Sequence, residues 1–218
     1  MAFGDAYLTR PPVFGDLPTK PWGDKSLGID LAGGCYRFAG LAPAQAAWAR
    51  MRFQTPCEGA SEAAAPVAVT VHRLPESAFR EIGTRGWEYT FDRDYDPERL
   101  RLAGLDFLAE VSLSPALGGQ LWTSRTDPER FPGVFENFLR VLVAYRLTRS
   151  GGVLLHSGAF ARAGRAQVVF GRSGAGKSTS SRLALGAGWE VLSDDMNALL
   201  RDGHGWRVER LPFAGDLG

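Results

Sequence analysis

Short runs of apolar and β-branched residues divide the first half of the chain into predicted strands. Residues 67–72 are rich in valine, which is typical of a strand. Residues 87–91 alternate aromatic and polar side chains, as a half-buried strand does. Further runs of this kind occupy residues 100–102, 107–113 and 118–123. Together they predict a small α+β domain over residues 31–128. An irregular arm is predicted before it, over residues 1–30, where proline and glycine are frequent and no period appears.

Two segments have the 3.6-residue period of an amphipathic helix. In residues 43–52 the predicted apolar face consists of Ala44, Ala47, Trp48 and Met51. In residues 132–149 the recurring apolar positions are Phe135, Phe138, Leu139, Leu142 and Tyr145. Ser150-Gly151-Gly152 is predicted to end the second helix, because glycine favours the left-handed conformation that closes a helix. We expect this helix to lead into a second domain over residues 129–218.

The second half of the chain begins with two strands joined by a tight turn. Residues 153–161 form an apolar run, Ala163-Gly164-Arg165 a turn, and residues 166–170 a second apolar run. Because the connection is so short, the two strands must be antiparallel neighbours. Residues 189–193 predict a further strand. The turn Asp202-Gly203-His204-Gly205 predicts a hairpin between strands at 197–200 and 206–211.

The strand at 166–170 leads into a glycine-rich loop, and a helix-forming segment follows. The pattern G-x-x-x-x-G-K-[ST] runs from Gly171 to Ser178. Its glycines permit backbone angles that a Cβ atom would forbid, so successive N–H groups can turn inward around an anion. The following helix directs the positive end of its dipole at the same anion. This context predicts binding of nucleotide phosphates rather than an ordinary glycine-rich turn.

Particular side chains of this loop have expected tasks. Lys177, one of only three lysines in the chain, is expected to reach the β- and γ-phosphates. The hydroxyl group of Ser178 is expected to ligate Mg²⁺. ATP and Mg²⁺ are therefore the expected ligands. The predicted nucleotide contacts form one continuous run: Gly171, Arg172, Ser173, Gly174, Ala175, Gly176, Lys177, Ser178 and Thr179.

Two adjacent carboxylates, Asp194 and Asp195, follow the predicted strand at 189–193, one helix after the loop. A phosphate loop needs such a carboxylate nearby to hold Mg²⁺. Adjacent strand residues point to opposite faces, so both reach one site only if the backbone turns there. We assign Asp194 to the metal with Ser178, and Asp195 to the proton of an acceptor hydroxyl. In the alternative, one of the two only caps the turn.

His156 lies in the middle of the predicted strand at 153–161. Judged by residue type and position alone, it is more simply a hydrogen-bonded core histidine than an active-site residue.

Composition restricts the class of partner. The 218 residues are 44% hydrophobic and 11% aromatic, which is enough for one large domain or two small ones. The net charge of +1 provides no general attraction to nucleic acid or to a membrane surface. No run has the length of a signal peptide or a membrane span, so we expect a cytoplasmic protein.

Two sets of residues resemble metal ligands or cross-links only superficially. Cys35 and Cys57 lack the spacing of a metal site and are predicted to be reduced thiols rather than a disulfide. Asp92, Asp94 and Asp96 alternate, but the glycine and final glutamate of a calcium loop are absent. We predict that these three aspartates form a charged turn after a strand.

Three motifs taken together resemble the catalytic domain of the HPr serine kinase/phosphorylase family. They are Leu155-His156-Ser157-Gly158, the phosphate loop at 171–178, and Leu192-Ser193-Asp194-Asp195. In that family a strand histidine, the loop and an Asp-Asp pair build the active site, and the fold is shared with phosphoenolpyruvate carboxykinases. The resemblance covers about residues 150–200. It implies an α/β P-loop kinase domain with a mixed sheet, here preceded by the small α+β domain.

The resemblance also implies which residues form the site. The matching positions are His156, Lys177, Ser178, Asp194 and Asp195. On this basis His156 is expected in the active site, where it would orient the catalytic carboxylate.

The chain departs from the family pattern at three places. Thr179 stands where the family usually has glutamate, and the N-terminal part is unlike the family's own N-terminal domain. A Glu- and Arg-containing signature, linked in the family to phosphorolysis, has no counterpart before Gly218. The chain is therefore more similar to HPr-kinase-related proteins of peptide-modification gene clusters, among them kinases that phosphorylate a serine of a lasso-peptide precursor. Because the resemblance would continue past Gly218, we expect the kinase domain to be incomplete at its C-terminal side.

The expected function is ATP- and Mg²⁺-dependent phosphorylation of a serine hydroxyl on a protein or peptide, with homo-oligomer formation left open. Two other interpretations remain. One is a P-loop NTPase that drives assembly or transport by hydrolysis, which the missing ABC-type signature and the early hairpin disfavour. The other is a non-catalytic nucleotide sensor whose N-terminal domain binds a partner.

Overall fold

The computed structural model describes residues 2–54, 56–57, 66–83, 90–172, 174–203 and 205–213. The chain is mixed α/β, with few helices and a mixed multi-stranded sheet. It separates into two compact units. The first unit consists of Met1–Asp30 and Gly34–Leu142, and the second of Leu31–Gly33 and Val143–Gly218. The division falls inside the long helix that the sequence predicts at 132–149.

Within the part of the first unit that the structure describes, seven strands form one sheet. They are β1 (Lys25–Leu31), β2 (Gly34–Leu41), β3 (Val67–Arg73), β4 (Asp92–Tyr95), β5 (Arg99–Gly104), β6 (Phe107–Ser112) and β7 (Gly118–Thr123). Their order in the sheet is β1-β2-β3-β7-β6-β5-β4. The β2–β3 and β3–β7 pairs are parallel, whereas β7–β6, β6–β5 and β5–β4 are antiparallel, so the sheet is mixed. This arrangement confirms the strands predicted at 67–72, 100–102, 107–113 and 118–123.

The segment expected to be an irregular arm contributes to both the core and the sheet. Tyr7 and Leu8 are buried in a cluster that includes Phe79 and Trp122. Apart from a short 3-10 turn, the chain is irregular up to β1. The prediction of an irregular arm is therefore wrong for the residues of β1. In β1 the apolar residues Leu27, Ile29 and Leu31 do alternate with polar or small ones, and the prolines and glycines of the preceding residues concealed this period.

Both predicted helices of the first 150 residues are confirmed. They are α1 (Pro43–Arg52) and α2 (Phe131–Arg149). Along α2, Phe135, Phe138, Leu139 and Leu142 are fully buried, and Tyr145 is half-buried. Within the described residues, no helix is both long enough and apolar enough to span a bilayer.

Helix α1 buries a different face from the one predicted. Gln45, Ala46 and Ala49 are buried, while Met51 is 69% exposed. Gln45 tolerates burial because its amide is hydrogen-bonded at both ends. Its Oε1 accepts a bond from the Ala42 N–H at 2.8 Å, and its Nε2 donates one to a backbone carbonyl at 2.7 Å. The spacing of apolar residues does not reveal the burial of Gln45, because a polar side chain can lie in the core when its hydrogen bonds are satisfied.

The alternating aspartates occupy a strand and a turn. Asp92 and Asp94 lie in β4, and Asp96 lies in the turn that leads to β5. The Oδ1 atom of Asp96 accepts bonds of 2.8 Å from the N–H groups of Glu98 and Arg99, and the bond from Glu98 contributes most to lowering the pKa of Asp96. The predicted charged turn is thus right for Asp96 and wrong for Asp92 and Asp94. Residues 84–89 lie outside the described residues, and with them most of the strand predicted at 87–91.

Cys35 and Cys57 form a disulfide, with their Cα atoms 5.9 Å apart. The prediction of reduced thiols is wrong. After α1 the chain returns to the edge of β1, where Pro56 pairs with Ile29 and the Cys57 N–H donates a bond to the carbonyl of Gly28 at 3.4 Å. This return brings Cys57 next to Cys35 in β2. Such a long-range approach leaves no signal in the spacing of two cysteines.

The described residues of the second unit form five strands and, after α2, one further helix. They are β8 (Val153–Arg162), β9 (Arg165–Phe170), α3 (Lys177–Gly186), β10 (Glu190–Ser193), β11 (Met196–Asp202) and β12 (Gly205–Arg210). Each pairing that the structure gives among these strands is antiparallel, so the parallel pairs of the mixed sheet belong to the first unit. Every strand predicted after residue 150 is confirmed.

Strand β8 pairs with three other strands. It pairs with β9 through a two-residue turn in which Ala163 and Gly164 have φ of 51° and 74°, so the predicted antiparallel hairpin is confirmed. Its first half also pairs with β11, and its second half with β10. Only Asp194 and Asp195 separate β10 from β11. The acidic pair is therefore held beside β8.

The C-terminal end of α2 closes as predicted. Gly151 has a φ of 74°, and the N–H of Gly152 donates a bond to the Leu147 carbonyl at 2.8 Å. This left-handed closure directs the chain into β8.

Candidate functional site

The glycine-rich loop connects the end of β9 to the start of α3, so the predicted strand–loop–helix context is present. Gly174 and Gly176 have φ of 78° and 88°, a conformation that favours glycine. A Cβ atom on either would meet no atom within 4 Å, so the space beside them is open. At Gly171, by contrast, a Cβ atom would lie 2.9 Å from the Cβ of Ala175. The loop therefore depends on glycine in two ways: for the positive φ angles at Gly174 and Gly176, and for the close approach of Gly171 to Ala175.

Lys177 begins α3 and is only 9% exposed despite its charge. Its Nζ donates a hydrogen bond to the carbonyl of Gly171 at 3.2 Å, so the side chain folds back over the loop. A buried ammonium group loses most of its hydration and needs partners to replace it.

The other predicted contact residues of the loop differ in exposure. Ser178 is half-buried, whereas Arg172 and Thr179 are exposed. Ser173 lies outside the described residues.

A glycine in β8 allows that strand to pack closely against the first turns of α3. A Cβ atom at Gly158 would lie 2.8 Å from the Oγ of Ser181 and 3.3 Å from the carbonyl oxygen of Lys177. Ser181 is fully buried, and its Oγ has no hydrogen-bond partner. The motif residue Gly158 therefore determines how closely β8 approaches the helix that carries the loop.

The backbone bends at the acidic pair, in a short turn between the end of β10 and the start of β11. Ser193 lies opposite Ala159 in one pairing, and Met196 lies opposite His156 in the next. The N–H of Ser157 donates a bond of 2.9 Å to the carbonyl of Asp195. This register places the backbone of Asp194 across from Gly158, the residue of β8 that packs on α3.

The two carboxylates have different surroundings. Asp194 is only 7% exposed, and its Oδ2 atom is buried without a hydrogen-bond partner. The side chain of Asp195 is 23% exposed, and its Oδ1 lies 3.7 Å from the Nε2 atom of His156. Burial without a donor favours a cation beside Asp194, whereas the more accessible Asp195 can meet a substrate.

The side chain of His156 is 63% exposed. The interpretation of this residue as a hydrogen-bonded core histidine is therefore wrong. The reason lies in the pairing of β8, because the half of the strand that contains His156 is partly exposed while the half that follows it is buried. The exposed imidazole of His156 lies beside the carboxylate of Asp195.

Several features of the site fit a phosphate group and a magnesium ion. The loop combines a buried ammonium group with an open concave backbone at a helix N-terminus. The unpartnered oxygen of Asp194 and the hydroxyl of Ser178 are hard oxygen donors, which Mg²⁺ prefers. Mg²⁺ commonly takes one or two protein ligands and completes its shell with phosphates and water. Among the described residues, no group of three or more His, Cys, Asp or Glu side chains could hold a metal ion.

Three residues near the site were not predicted to take part. Ser193 and Asn197 flank the acidic pair, and Ser157 lies opposite it in β8. Their hydrogen bonds hold the turn in place. The only local signal is that small polar residues interrupt apolar strands, which is too common to identify them.

The chain has no significant match among protein-family models, curated proteins or solved structures. Assignment of a function therefore depends on the geometry of the site and on the resemblance of its three motifs.

Proposed function

We propose that this chain is an ATP- and Mg²⁺-dependent kinase that phosphorylates a serine hydroxyl on a protein or peptide, related to the HPr serine kinases. The observation that carries the proposal is the short turn between β10 and β11, which lies opposite Gly158 of β8, the residue that packs against the start of α3. This turn bears a buried, unpartnered carboxylate oxygen on Asp194 and the more accessible Asp195, 3.7 Å from His156. The proposal includes a P-loop kinase fold for residues 129–218.

In this proposal the loop holds the triphosphate. Backbone N–H groups of the loop and the ammonium group of Lys177 bind phosphate oxygens. Ser178 and Asp194 hold Mg²⁺, which supplies positive charge for the phosphates when bound. The side chain of Lys177 already lies over the loop, so little ordering is needed when phosphate replaces the carbonyl of Gly171 as its partner.

Asp195 acts on the acceptor. It takes the proton of the serine hydroxyl while the serine oxygen attacks the γ-phosphorus. A new oxygen–phosphorus bond forms, the bond between the γ-phosphorus and its bridging oxygen breaks, and ADP leaves. His156 orients the carboxylate of Asp195 and remains accessible from solvent, so an acceptor serine can approach this side of the site.

The residues around the loop favour a hydroxyl acceptor over water. Some GTPases position the attacking water with a glutamine. Here neither glutamine nor glutamate occurs in the loop, in α3 or next to the acidic pair, and Glu190 is at the far end of β10. Asp195 is therefore available as a base for serine.

The test measures ATP turnover with and without serine-containing peptides and candidate proteins, with mass spectrometry for a phosphate adduct. We expect the adduct with wild type and none with Lys177→Ala. Rapid ATP turnover with no phosphate adduct on any candidate would indicate an NTPase instead of a kinase. ATP binding with neither hydrolysis nor phosphoryl transfer would indicate a nucleotide sensor.

Substitution of each aspartate separates their roles. Asp195→Asn should retain nucleotide affinity and lose phosphoryl transfer, because the amide accepts no proton. Asp194→Asn should in addition weaken the dependence of binding on Mg²⁺. Asp202→Asn is the matched control, since Asp202 is an exposed aspartate at the end of β11. Full turnover by Asp195→Asn would show that Asp195 is not the base.

A serine kinase that uses ATP is proposed to work in the cytoplasm. The Cys35–Cys57 disulfide is a feature more usual in oxidising compartments. Cell fractionation with thiol alkylation before lysis would decide where the chain is found and whether the disulfide is formed there.

A further inference from the structure

The turn that carries the acidic pair is tied to β8 by a buried amide. Asn197, at the start of β11, is fully buried. Its Nδ2 donates bonds to the carbonyl of Ser157 at 2.7 Å and to the Oγ of Ser157 at 3.1 Å, and it lies 3.5 Å from the carbonyl of Ser193. Because two of these oxygens are carbonyls, only the NH₂ side of the amide can face them. Asn197 thus joins the end of β10 to β8 across the turn.

The hydroxyl group of Ser193 also holds the turn in its bent conformation. The Oγ of Ser193 accepts bonds from the N–H groups of Asp195 at 3.2 Å and Met196 at 3.3 Å. Such a side-chain-to-backbone bond bends the chain out of the extended conformation. Without the bend, the two adjacent carboxylates would point to opposite faces of the strand.

Stability alone does not explain this network. The Oδ1 of Asn197 and the Oδ2 of Asp194 are both buried without partners. A buried polar atom without a partner is unfavourable, whereas an apolar side chain of similar shape would avoid that cost at Asn197. Polar groups that are poorly satisfied in a fully buried position indicate a requirement other than packing.

We propose that Asn197 and Ser193 are positioning residues that hold the carboxylate of Asp194 in place for a magnesium–nucleotide complex. The inference rests on the proposed function only in that the loop binds a magnesium–nucleotide; it does not require phosphoryl transfer. Both residues act through the backbone of the turn and touch neither metal nor nucleotide.

The experiment measures ATP affinity by calorimetry in the presence of Mg²⁺ and in the presence of EDTA. The ratio of the two affinities is the gain due to the metal. Asn197→Leu keeps the approximate volume of the side chain and removes its donors, and Ser193→Ala removes the hydroxyl. We expect each to reduce the gain about 10–100-fold, as loss of outer-shell partners does at metal sites. Affinity in EDTA should stay at the wild-type value.

Two controls separate positioning from general loss of stability. Phe160→Leu removes packing between Phe160 and Trp189, whose ring centroids are 5.6 Å apart, without touching the turn. It should lower the melting temperature and leave the gain unchanged. Ser193→Thr retains the hydroxyl and should restore the gain lost in Ser193→Ala. If Asn197→Leu does not fold, Ser193→Ala and Ser193→Thr still show whether the turn positions Asp194 or only stabilises the fold.

The outcomes distinguish this inference from the proposed function. A wild-type gain that persists in Asn197→Leu and Ser193→Ala would overturn the positioning role even if serine phosphorylation occurs. Loss of the gain in both variants would support it even if the wild type transfers no phosphate to any acceptor. A wild type with equal affinity in Mg²⁺ and EDTA would overturn it as well.

Discussion

Two buried charges of opposite sign distinguish the second unit at the scale of single residues. Among its described residues, Lys177 and Asp194 are the charged side chains classed as buried, at 9% and 7% exposure. Burying a charge is unfavourable unless partners replace its hydration. The ammonium group has one carbonyl partner, and one oxygen of the carboxylate has none. A ligand that brings both anionic phosphate and a cation would satisfy the two together.

Replacing the loop lysine should weaken nucleotide binding. Lys177→Ala removes a charged donor to phosphate, so we expect ATP affinity to fall by about 1.5–3 kcal/mol. Calorimetry with Mg-ATP measures this loss directly. Lys25→Ala is the matched control, because Lys25 is a partly exposed lysine in β1 that pairs with its neighbour Asp24. Equal affinity of Lys177→Ala and wild type would exclude the loop as the phosphate site.

His72 should make the stability of the protein depend on pH. It is 4% exposed in β3, and burial lowers its pKa, partly offset by the hydrogen bond to the Oε1 of Gln120 at 3.0 Å. Below the ordinary pKa of 6.5, the unfolded chain binds a proton that the folded protein does not. The free energy of unfolding should therefore fall as pH drops below that value.

Urea unfolding across this pH range tests the histidine. His72→Phe should show a smaller loss of stability on acidification than wild type. Identical pH dependence of stability in wild type and His72→Phe would exclude His72 as the cause.

At the scale of elements, β8 connects the parts of the site. It pairs with β9, which leads into the loop, and with both strands that flank the acidic pair. It also packs on α3 at Gly158. The hairpin and the turn therefore bring the loop, the aspartates and His156 to one strand, although they are far apart in the sequence.

A methyl group at Gly158 should separate β8 from α3. Its Cβ would lie 2.8 Å from the Oγ of Ser181, and relieving such overpacking typically costs about 1–3 kcal/mol. We expect Gly158→Ala to lower both the melting temperature and ATP affinity. Gly186→Ala is the control, since a Cβ atom there would meet nothing within 4 Å.

A double substitution tests whether the Ser181 contact is the cause. Ser181→Ala removes the closest atom, so Gly158→Ala should be less harmful in that background, which is a coupling of the kind seen between touching residues. Additive effects of the two substitutions would contradict the proposed contact.

At the scale of the whole molecule, the disulfide and the glycine-rich loop belong to different units. Cys35 and Cys57 are in the first unit and close a loop with a sequence separation of 22 residues, whereas residues 171–178 are in the second. A cross-link of this kind stabilises mainly by restricting the unfolded chain. Its removal should therefore affect folding of the first unit and leave the chemistry of the loop unchanged.

The double variant Cys35→Ser/Cys57→Ser should lose about 2–4 kcal/mol of unfolding free energy in the first unit. ATP affinity measured well below the unfolding temperature should equal that of wild type. Wild type treated with a thiol reductant should behave like the variant, and the variant itself should not respond to the reductant. A large change in ATP affinity would contradict the independence of the two features.

Local patterns in the sequence predict most of the elements of this protein and the glycine-dependent backbone of its loop. The period of α2, the hairpin at Ala163-Gly164 and the valine-rich β3 depend on neighbours a few residues away. The same holds for the phosphate loop, whose glycines at 174 and 176 bend the backbone where the pattern requires. Such features are encoded where they occur, so composition and spacing are enough to find them.

Only the tertiary structure decided which surfaces are buried and which distant residues meet. Gln45 is buried because a backbone carbonyl of another segment accepts its hydrogen bond, and Cys57 meets Cys35 because the chain returns to β1. His156 is exposed and Asp194 is buried, although the first lies in β8 and the second in the turn next to it. These outcomes depend on contacts between residues far apart in the chain, and the free energy of such a contact is not a property of either segment alone.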